Sequence, residues 1–90
     1  MFGKKKIRHF VIMDGSDKEF VQCIRGLTEM HIGKSRIMNI LLRRIRIRRL
    51  DRSHPTMLVV TVHCTNRPWT ELRKVLERDY PEQCVFNVPL

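Results

Sequence analysis

The stretch RRIRIRRLDR, residues 43–52, places six arginines beside apolar residues that recur at every second position. Alternation with a period of two is typical of a β-strand that has one buried and one solvated face. Side chains of like parity on such a strand are about 6.5–7 Å apart. The pattern therefore predicts a strand over residues 40–50 whose solvated face is a row of guanidinium groups.

The residues on the C-terminal side of this stretch predict a hairpin. Residues 51–55, DRSHP, have the composition of a turn. Residues 56–64, TMLVVTVHC, are rich in β-branched side chains and almost wholly apolar, which is typical of a central strand. On the N-terminal side, residues 34–42 fit helical and extended spacings equally well. We interpret residues 34–39 as an irregular approach to the arginine-rich strand.

A strand and a helix are predicted before the hairpin. Residues 7–13, IRHFVIM, indicate a mostly buried strand. Ser16 and Glu19 predict a capping box, in which the serine would accept from the third helical N–H. The helix that follows has one apolar face and ends near Gly33, a residue common at helix C-termini. The residues of this face are Phe20, Cys23, Ile24, Leu27 and Met30 or His31.

A second helix and a last strand complete the pattern. Thr65 or Asn66 caps the helix, and Pro68 lies in its first turn, where a missing N–H costs nothing. Its apolar stripe comprises Trp69, Leu72, Val75, Leu76 and Tyr80, and Pro81 ends it. Residues 83–88 indicate the last strand.

The predicted order is therefore βαββαβ over a single domain, residues 1–90. Two right-handed crossovers in that order give an α+β, ferredoxin-like two-layer sandwich, with a four-stranded antiparallel sheet and both helices on one face. The apolar strands 7–13 and 56–64 would be central, and the arginine-rich strand would be at an edge. Residues 1–6 are expected to form a flexible basic arm.

Positive charge is concentrated in one quarter of the chain. The formal net charge is +9, and residues 34–55 alone contain eight Lys or Arg against one Asp. A concentrated patch of this kind attracts polyanions. We therefore predict a domain that contacts the phosphate backbone of a nucleic acid, RNA rather than DNA. The predicted contact residues are Lys4, Lys5, Lys6, Lys34, Arg36, Arg43, Arg44, Arg46, Arg48, Arg49 and Arg52.

Base-specific recognition is not expected from the aromatic residues. Sheets that bind RNA bases use stacked aromatics on the two central strands. Residues 7–13 offer only Phe10, with His9 on the opposite face, and residues 56–64 offer none. The chain therefore does not resemble an RNA-recognition motif beyond its strand order, and backbone or shape binding fits better.

The sequence is also compatible with two alternative functions. Residues 27–44 loosely resemble a helix-turn-helix or ribbon-helix-helix element, which implies a DNA-binding regulator with Lys34, Ser35, Arg36 and Asn39 facing DNA. The overall layout is also similar to ACT-like regulatory modules. That similarity implies a protein-interaction domain that forms a homodimer through a sheet edge or pairs with an acidic protein, without nucleic acid.

The remaining residues argue against other classes of protein. Cys23, Cys64 and Cys84 are odd in number and widely spaced, which favours buried, small apolar cysteines in a reducing cytoplasm over a disulfide framework or a metal site. The four histidines and the carboxylates are scattered, so neither an enzyme nor a bound cofactor is expected. No apolar run exceeds four residues, so no membrane span is predicted.

Overall fold

The computed structural model describes residues 4–32 and 45–90, which form one four-stranded antiparallel sheet and two helices. The elements are β1 (Lys6–Ile12), α1 (Lys18–Ile32), β2 (Ile45–Arg49), β3 (Leu58–Cys64), α2 (Asn66–Asp79) and β4 (Cys84–Val85). The strand order is β2-β3-β1-β4. The predicted ferredoxin-like α+β sandwich is confirmed, with β1 and β3 central and β2 at an edge. Expectations for residues 33–44, including the second helix of the DNA-binding alternative, fall outside the described residues.

The register of the strands decides which side chains face the helices. Phe10 of β1 and Ile47 of β2 both lie opposite Val60 of β3. Because side chains alternate along a strand, residues two positions away share this face. These side chains pack in one core with the buried residues of the helices, among them Ile24 and Leu72. The opposite side of the sheet is called the outer face below. It carries Ile7, His9, Val11, Arg46, Arg48, Val59, Thr61 and His63.

The start of α1 differs from the predicted capping box. The backbone N–H groups of Glu19 and Phe20 donate to Oδ1 of Asp17, at 3.0 and 3.2 Å. Ser16 lies in the preceding turn, where its own N–H donates to Asp14. The prediction of Ser16 as the cap was wrong, because the aspartate one residue later supplies the acceptor for the first turn.

The buried face of α1 is also rotated from the predicted one. Ile24, Thr28 and Ile32 are buried, whereas Cys23 and Met30 are exposed. Thr28 occupies a core position because its hydroxyl donates to the carbonyl oxygen of Ile24 at 2.7 Å, which satisfies the buried polar group. Because Thr28 is polar, the apolar pattern of the sequence did not include it, and the predicted buried face was displaced toward Cys23. The burial predicted for Cys23 was therefore wrong. Cys64 and Cys84 are buried as predicted.

The second helix follows its predicted stripe closely. Leu72 and Leu76 are fully buried, and Trp69, Val75 and Tyr80 are half-buried. Thr65 precedes the helix in an extended conformation, yet its side chain makes no capping hydrogen bond. After the helix, β4 has two residues where residues 83–88 were predicted. Asn87 has φ of 63°, in the left-handed region, and β4 has ended before this residue.

Candidate nucleic-acid interface

The arginines of β2 divide between the two faces of the sheet. Arg46 lies directly across from Thr61 and Arg48 across from Val59, so both are on the outer face, and both are exposed. Arg49 lies across from Leu58, on the face that the helices pack against, and is exposed at the end of the strand. Arg52 is exposed in the following turn. The predicted row of arginines on one face therefore includes Arg46 and Arg48 but not Arg49.

The three lysines of the N-terminal segment are exposed at the start of β1. Lys6 is the first residue of that strand and lies across from Cys64, while Lys4 and Lys5 precede it. They therefore stand at one end of the sheet, next to the central strands. The other predicted contact residues, Lys34, Arg36, Arg43 and Arg44, lie outside the described residues.

Ion pairing separates the arginines of the helices from those of the sheet edge. Four helical arginines each have a carboxylate partner: Arg25 with Glu29 at 3.1 Å, Arg67 with Glu71 at 3.7 Å, Arg73 with Glu77, and Arg78 with Asp79 at 2.8 Å. By contrast, the arginines of β2 and its turn have no ion pair or side-chain hydrogen bond with any residue in 4–32 or 45–90. Their positive charge is therefore not neutralised within the described part of the chain.

The one carboxylate of residues 43–52 is engaged elsewhere. Asp51 Oδ1 accepts the backbone N–H of His54 at 2.8 Å and lies 2.9 Å from the His54 ring Nδ1. The side-chain hydrogen bond with His54 is the main reason that the pKa of Asp51 is lowered from its ordinary value. The carboxylate thus closes the β2–β3 turn and pairs with neither Arg49 nor Arg52.

The strands carry no carboxylate to oppose this charge. None of β1, β2, β3 or β4 contains Asp or Glu, and the acidic residues stand on the helices and in the turns. Basic groups without nearby acids on one surface produce a positive potential that attracts anions. Charge is thus segregated between the helical layer and the sheet edge.

Two histidines of the outer face were not among the predicted contacts. His9 and His63 are exposed on the two central strands, and His9 Nδ1 lies 3.0 Å from the hydroxyl of Thr61. The sequence alone indicates that His9 faces the opposite side of the sheet from Phe10. It does not indicate that His63 lies on the same face as His9. That placement requires the register between β1 and β3, which pairs His9 with Thr61.

Arg8 is basic but serves the packing of the helical layer. Its Nη2 donates to Oδ1 of Asn66 at 2.9 Å, and its Cζ lies 5.9 Å from the centroid of the Trp69 ring. The side chain is half-buried and points away from the outer face. It therefore links β1 to the first turn of α2 rather than adding to the basic surface.

A cavity lies between the end of α1 and the start of α2, and no arginine of β2 is among the residues that line it. Its volume is about 400 Å³, and it is lined by Met30, His31, Ile32, Arg67, Pro68 and Glu71. Within the described residues, no cluster of three or more His, Cys, Asp or Glu could hold a metal ion. Nor does that part of the chain contain a helix with the length and apolar character needed to cross a membrane.

Comparisons with known proteins identify no relative of this chain. Comparisons with protein-family models, with curated proteins and with solved structures found no match.

Proposed function

We propose that this chain is a non-enzymatic nucleic-acid-binding domain that holds the phosphate backbone, of RNA in the first place, along the β2 edge of the sheet. The supporting observation is the contrast in ion pairing between the arginines of β2 and those of the helices. The guanidinium of arginine is planar and presents a fork of N–H groups that matches phosphate oxygens. An arginine without an internal carboxylate has these donors available for a ligand.

The number of arginines supports ligand binding over a purely structural role. One or two charges suffice to prevent a sheet edge from pairing with another chain, and arginine stems also cover apolar surface. Six arginines in ten residues exceed that need. Uncompensated charge of one sign destabilises the compact state by self-repulsion. A bound polyanion would reduce this repulsion. Binding therefore offers a physical reason for concentrating the arginines in one strand.

The sheet is a better candidate than the helices for the contact surface. A helix that enters the major groove of DNA contacts phosphates and bases with its own polar side chains. In α1 and α2, however, the arginines pair with carboxylates on the same helix, as Arg25 does with Glu29 and Arg67 with Glu71. We therefore favour RNA on the sheet over duplex DNA on a helix. A cytoplasmic location suits this partner and the three widely spaced cysteines, of which Cys64 and Cys84 are buried.

The proposal is tested by binding measurements on an arginine variant and a matched control. The variant Arg46→Ser/Arg48→Ser removes two exposed guanidiniums that have no carboxylate partner in residues 4–32 or 45–90, and Arg67→Ser/Arg78→Ser removes two paired ones from α2. Single- and double-stranded RNA and DNA are titrated at about 50 mM salt and again at several hundred millimolar. We expect the sheet variant to lose most binding, the helix variant to keep it, and high salt to abolish it. Thermal melts should change little, because all four side chains are at the surface.

Two results would contradict the proposal. Equal binding by the sheet variant and the helix variant would show that the β2 arginines are not the contact surface. A doubled mass in light scattering, together with no binding to any nucleic acid, would favour the dimerising module instead.

A further inference from the structure

Two histidines stand next to each other on the accessible part of the outer face. His9 lies across from Thr61, and His63 is two residues further along β3, so the two are diagonal neighbours on the central strands. Diagonal neighbours in an antiparallel pair are about 7–8 Å apart. Both side chains are exposed, whereas Val11 and Val59 on the same face are buried. The accessible surface is therefore at the histidine end of the central strands.

The His9 ring is restrained by the strand beside it. Its Nδ1 lies 3.0 Å from the hydroxyl of Thr61, which engages one ring nitrogen. The second nitrogen, Nε2, has no hydrogen-bond partner among the described residues. A ring that is already held loses less conformational freedom when a ligand contacts it. The entropic cost of a ligand contact with His9 on this face is therefore reduced.

An exposed isoleucine adjoins the second histidine. Ile7 is directly across from His63, and 67% of its surface is accessible. On the other side, the register runs from His9 through Thr61 to Arg46 at the edge. The face therefore has an apolar and aromatic centre and a basic border. A phosphate has no favourable contact with an isoleucine side chain, whereas the face of a nucleobase does.

We infer that the outer face holds a single-stranded polynucleotide, with His9 and His63 stacking on bases while Arg46 and Arg48 hold phosphates. This inference rests on the proposed function and specifies its ligand. Histidine and other aromatic side chains stack on the unpaired bases of single strands. Such stacking tolerates any sequence, because every base has a π face. His9 and His63 would take the place of the aromatic residues that RNA-binding sheets carry on their central strands.

A duplex fits this surface less well than a single strand. The bases of a duplex are stacked on each other and reached only through its grooves, so a flat sheet would meet phosphates alone. The arginines could contact the phosphates of a duplex, but Ile7, His9 and His63 would make no contact with it. A single strand can place its phosphates against the arginines of the border and its bases against the histidines and Ile7 of the centre.

The inference is tested by comparing ligands that have accessible bases with ligands that lack them. Fluorescence anisotropy measures binding of labelled oligouridylate and oligodeoxyuridylate of about twelve nucleotides, within the range of site sizes for single-strand binders. An RNA duplex of similar length and inorganic polyphosphate serve as competitors without accessible bases. The variants are His9→Ala, His63→Ala and His63→Tyr. His54→Ala is the matched control, because His54 is an exposed histidine in the β2–β3 turn.

We expect each of the two outer-face alanine variants to bind single strands about fivefold more weakly or worse, the low end for loss of a stacked ring. Binding of the duplex and of polyphosphate should stay within about twofold of the wild-type value, since those ligands use phosphates only. His63→Tyr should restore single-strand binding and His54→Ala should not reduce it. Comparison of oligouridylate with oligodeoxyuridylate, which differ only in the 2′-hydroxyl, identifies the sugar.

Failure of this inference can be told apart from failure of the proposed function. If His9→Ala and His63→Ala bind single strands as the wild type does, or lose strand and polyphosphate equally, the stacking surface is wrong. The arginine variant would still report on the proposed function in that case. If the wild type binds neither single strand, duplex nor polyphosphate at low salt, the proposed function fails and the inference fails with it.

Discussion

The carboxylate of Asp51 accepts the backbone N–H of His54 at 2.8 Å, and the same oxygen lies 2.9 Å from the His54 ring Nδ1. This contact closes the turn between β2 and β3 with the side chain of the one acidic residue in positions 43–52. The Asp51 carboxylate is therefore engaged in the turn, and it forms no ion pair with an arginine of residues 45–90.

The pH dependence of stability should report the Asp51–His54 contact. The pKa of Asp51 in the folded protein is lowered from 3.8, mainly by the hydrogen bond with His54. A lowered folded-state pKa stabilises the protein above the unfolded value, and this contribution is lost as pH falls through the folded value. We expect the wild type to melt higher than Asp51→Asn at neutral pH and the difference to disappear well below pH 3.8. A difference independent of pH would contradict the assignment.

The contact of Arg8 with Trp69 and Asn66 should contribute to stability and not to ligand binding. The variant Arg8→Met keeps an apolar stem but removes the donor to Asn66 and the charge near the Trp69 ring. A hydrogen bond and a cation–π contact of this kind are each worth about 1 kcal/mol or less. Denaturant unfolding should therefore show a loss of about 1 kcal/mol, while Lys18→Met, at an exposed lysine, shows almost none. A loss of nucleic-acid binding at normal stability would instead place Arg8 in the interface.

Gly26 offers a stabilising substitution in the middle of α1. A Cβ added there would have no atom of another described segment within 4 Å, so alanine fits without rearrangement. Glycine in a helix interior costs about 0.5–1 kcal/mol relative to alanine. We expect Gly26→Ala to raise the melting temperature by several degrees, since about 1 kcal/mol shifts it by roughly 4–8 °C in a domain of this size.

Gly15 is the matched contrast for this experiment. Its added Cβ would be 2.6 Å from Leu58 Cγ and 3.1 Å from the carbonyl oxygen of Thr56. Gly15→Ala should therefore lower the melting temperature. If both alanine variants shift it in the same direction, the backbone positions of the two glycines are not as described.

The strands and their order were predictable because their patterns are local. Period-two alternation in residues 43–52 and β-branched residues in 56–64 indicate an edge and a central strand, and the sheet order confirms both. Thr28 shows where such patterns fail. Its hydroxyl is satisfied by the backbone of its own helix, so a polar residue is compatible with the core, and no apolar periodicity can report it.

The composition of the outer face could be predicted only in part. The parity of Arg46 and Arg48 follows from the sequence alone, and so does the opposite facing of Arg49. The juxtaposition of His9 with His63 depends on the register between β1 and β3, two strands far apart in the chain. Register of this kind is set by packing and turn geometry, and a slip of one residue would move His63 to the other face.

Thiol reactivity should separate the exposed cysteine from the buried ones. Burial is the main cause that raises the pKa of Cys84 to about 12, so its thiol is almost entirely protonated at mildly alkaline pH. Cys23 is exposed, with Sγ 3.8 Å from the hydroxyl of Tyr80. Brief alkylation of the folded protein should give one adduct, at Cys23, and mass spectrometry should find none in Cys23→Ser. Equal labelling of Cys84 would contradict the described packing of β4.

The salt dependence of binding should distinguish phosphate contacts from base contacts residue by residue. Each neutralised phosphate contributes about 0.7 to the slope of log affinity against log salt for a single strand, and about 0.9 for duplex DNA. We expect Arg46→Ser to lower the magnitude of this slope by about 0.7 on oligouridylate. His63→Ala should weaken binding with an unchanged slope, because a stacked ring releases no counterion. Arg67→Ser should change neither quantity, since Arg67 is on α2 with Glu71 3.7 Å away. If Arg46→Ser and Arg67→Ser reduce the slope equally, binding follows net charge and the β2 edge makes no specific phosphate contact.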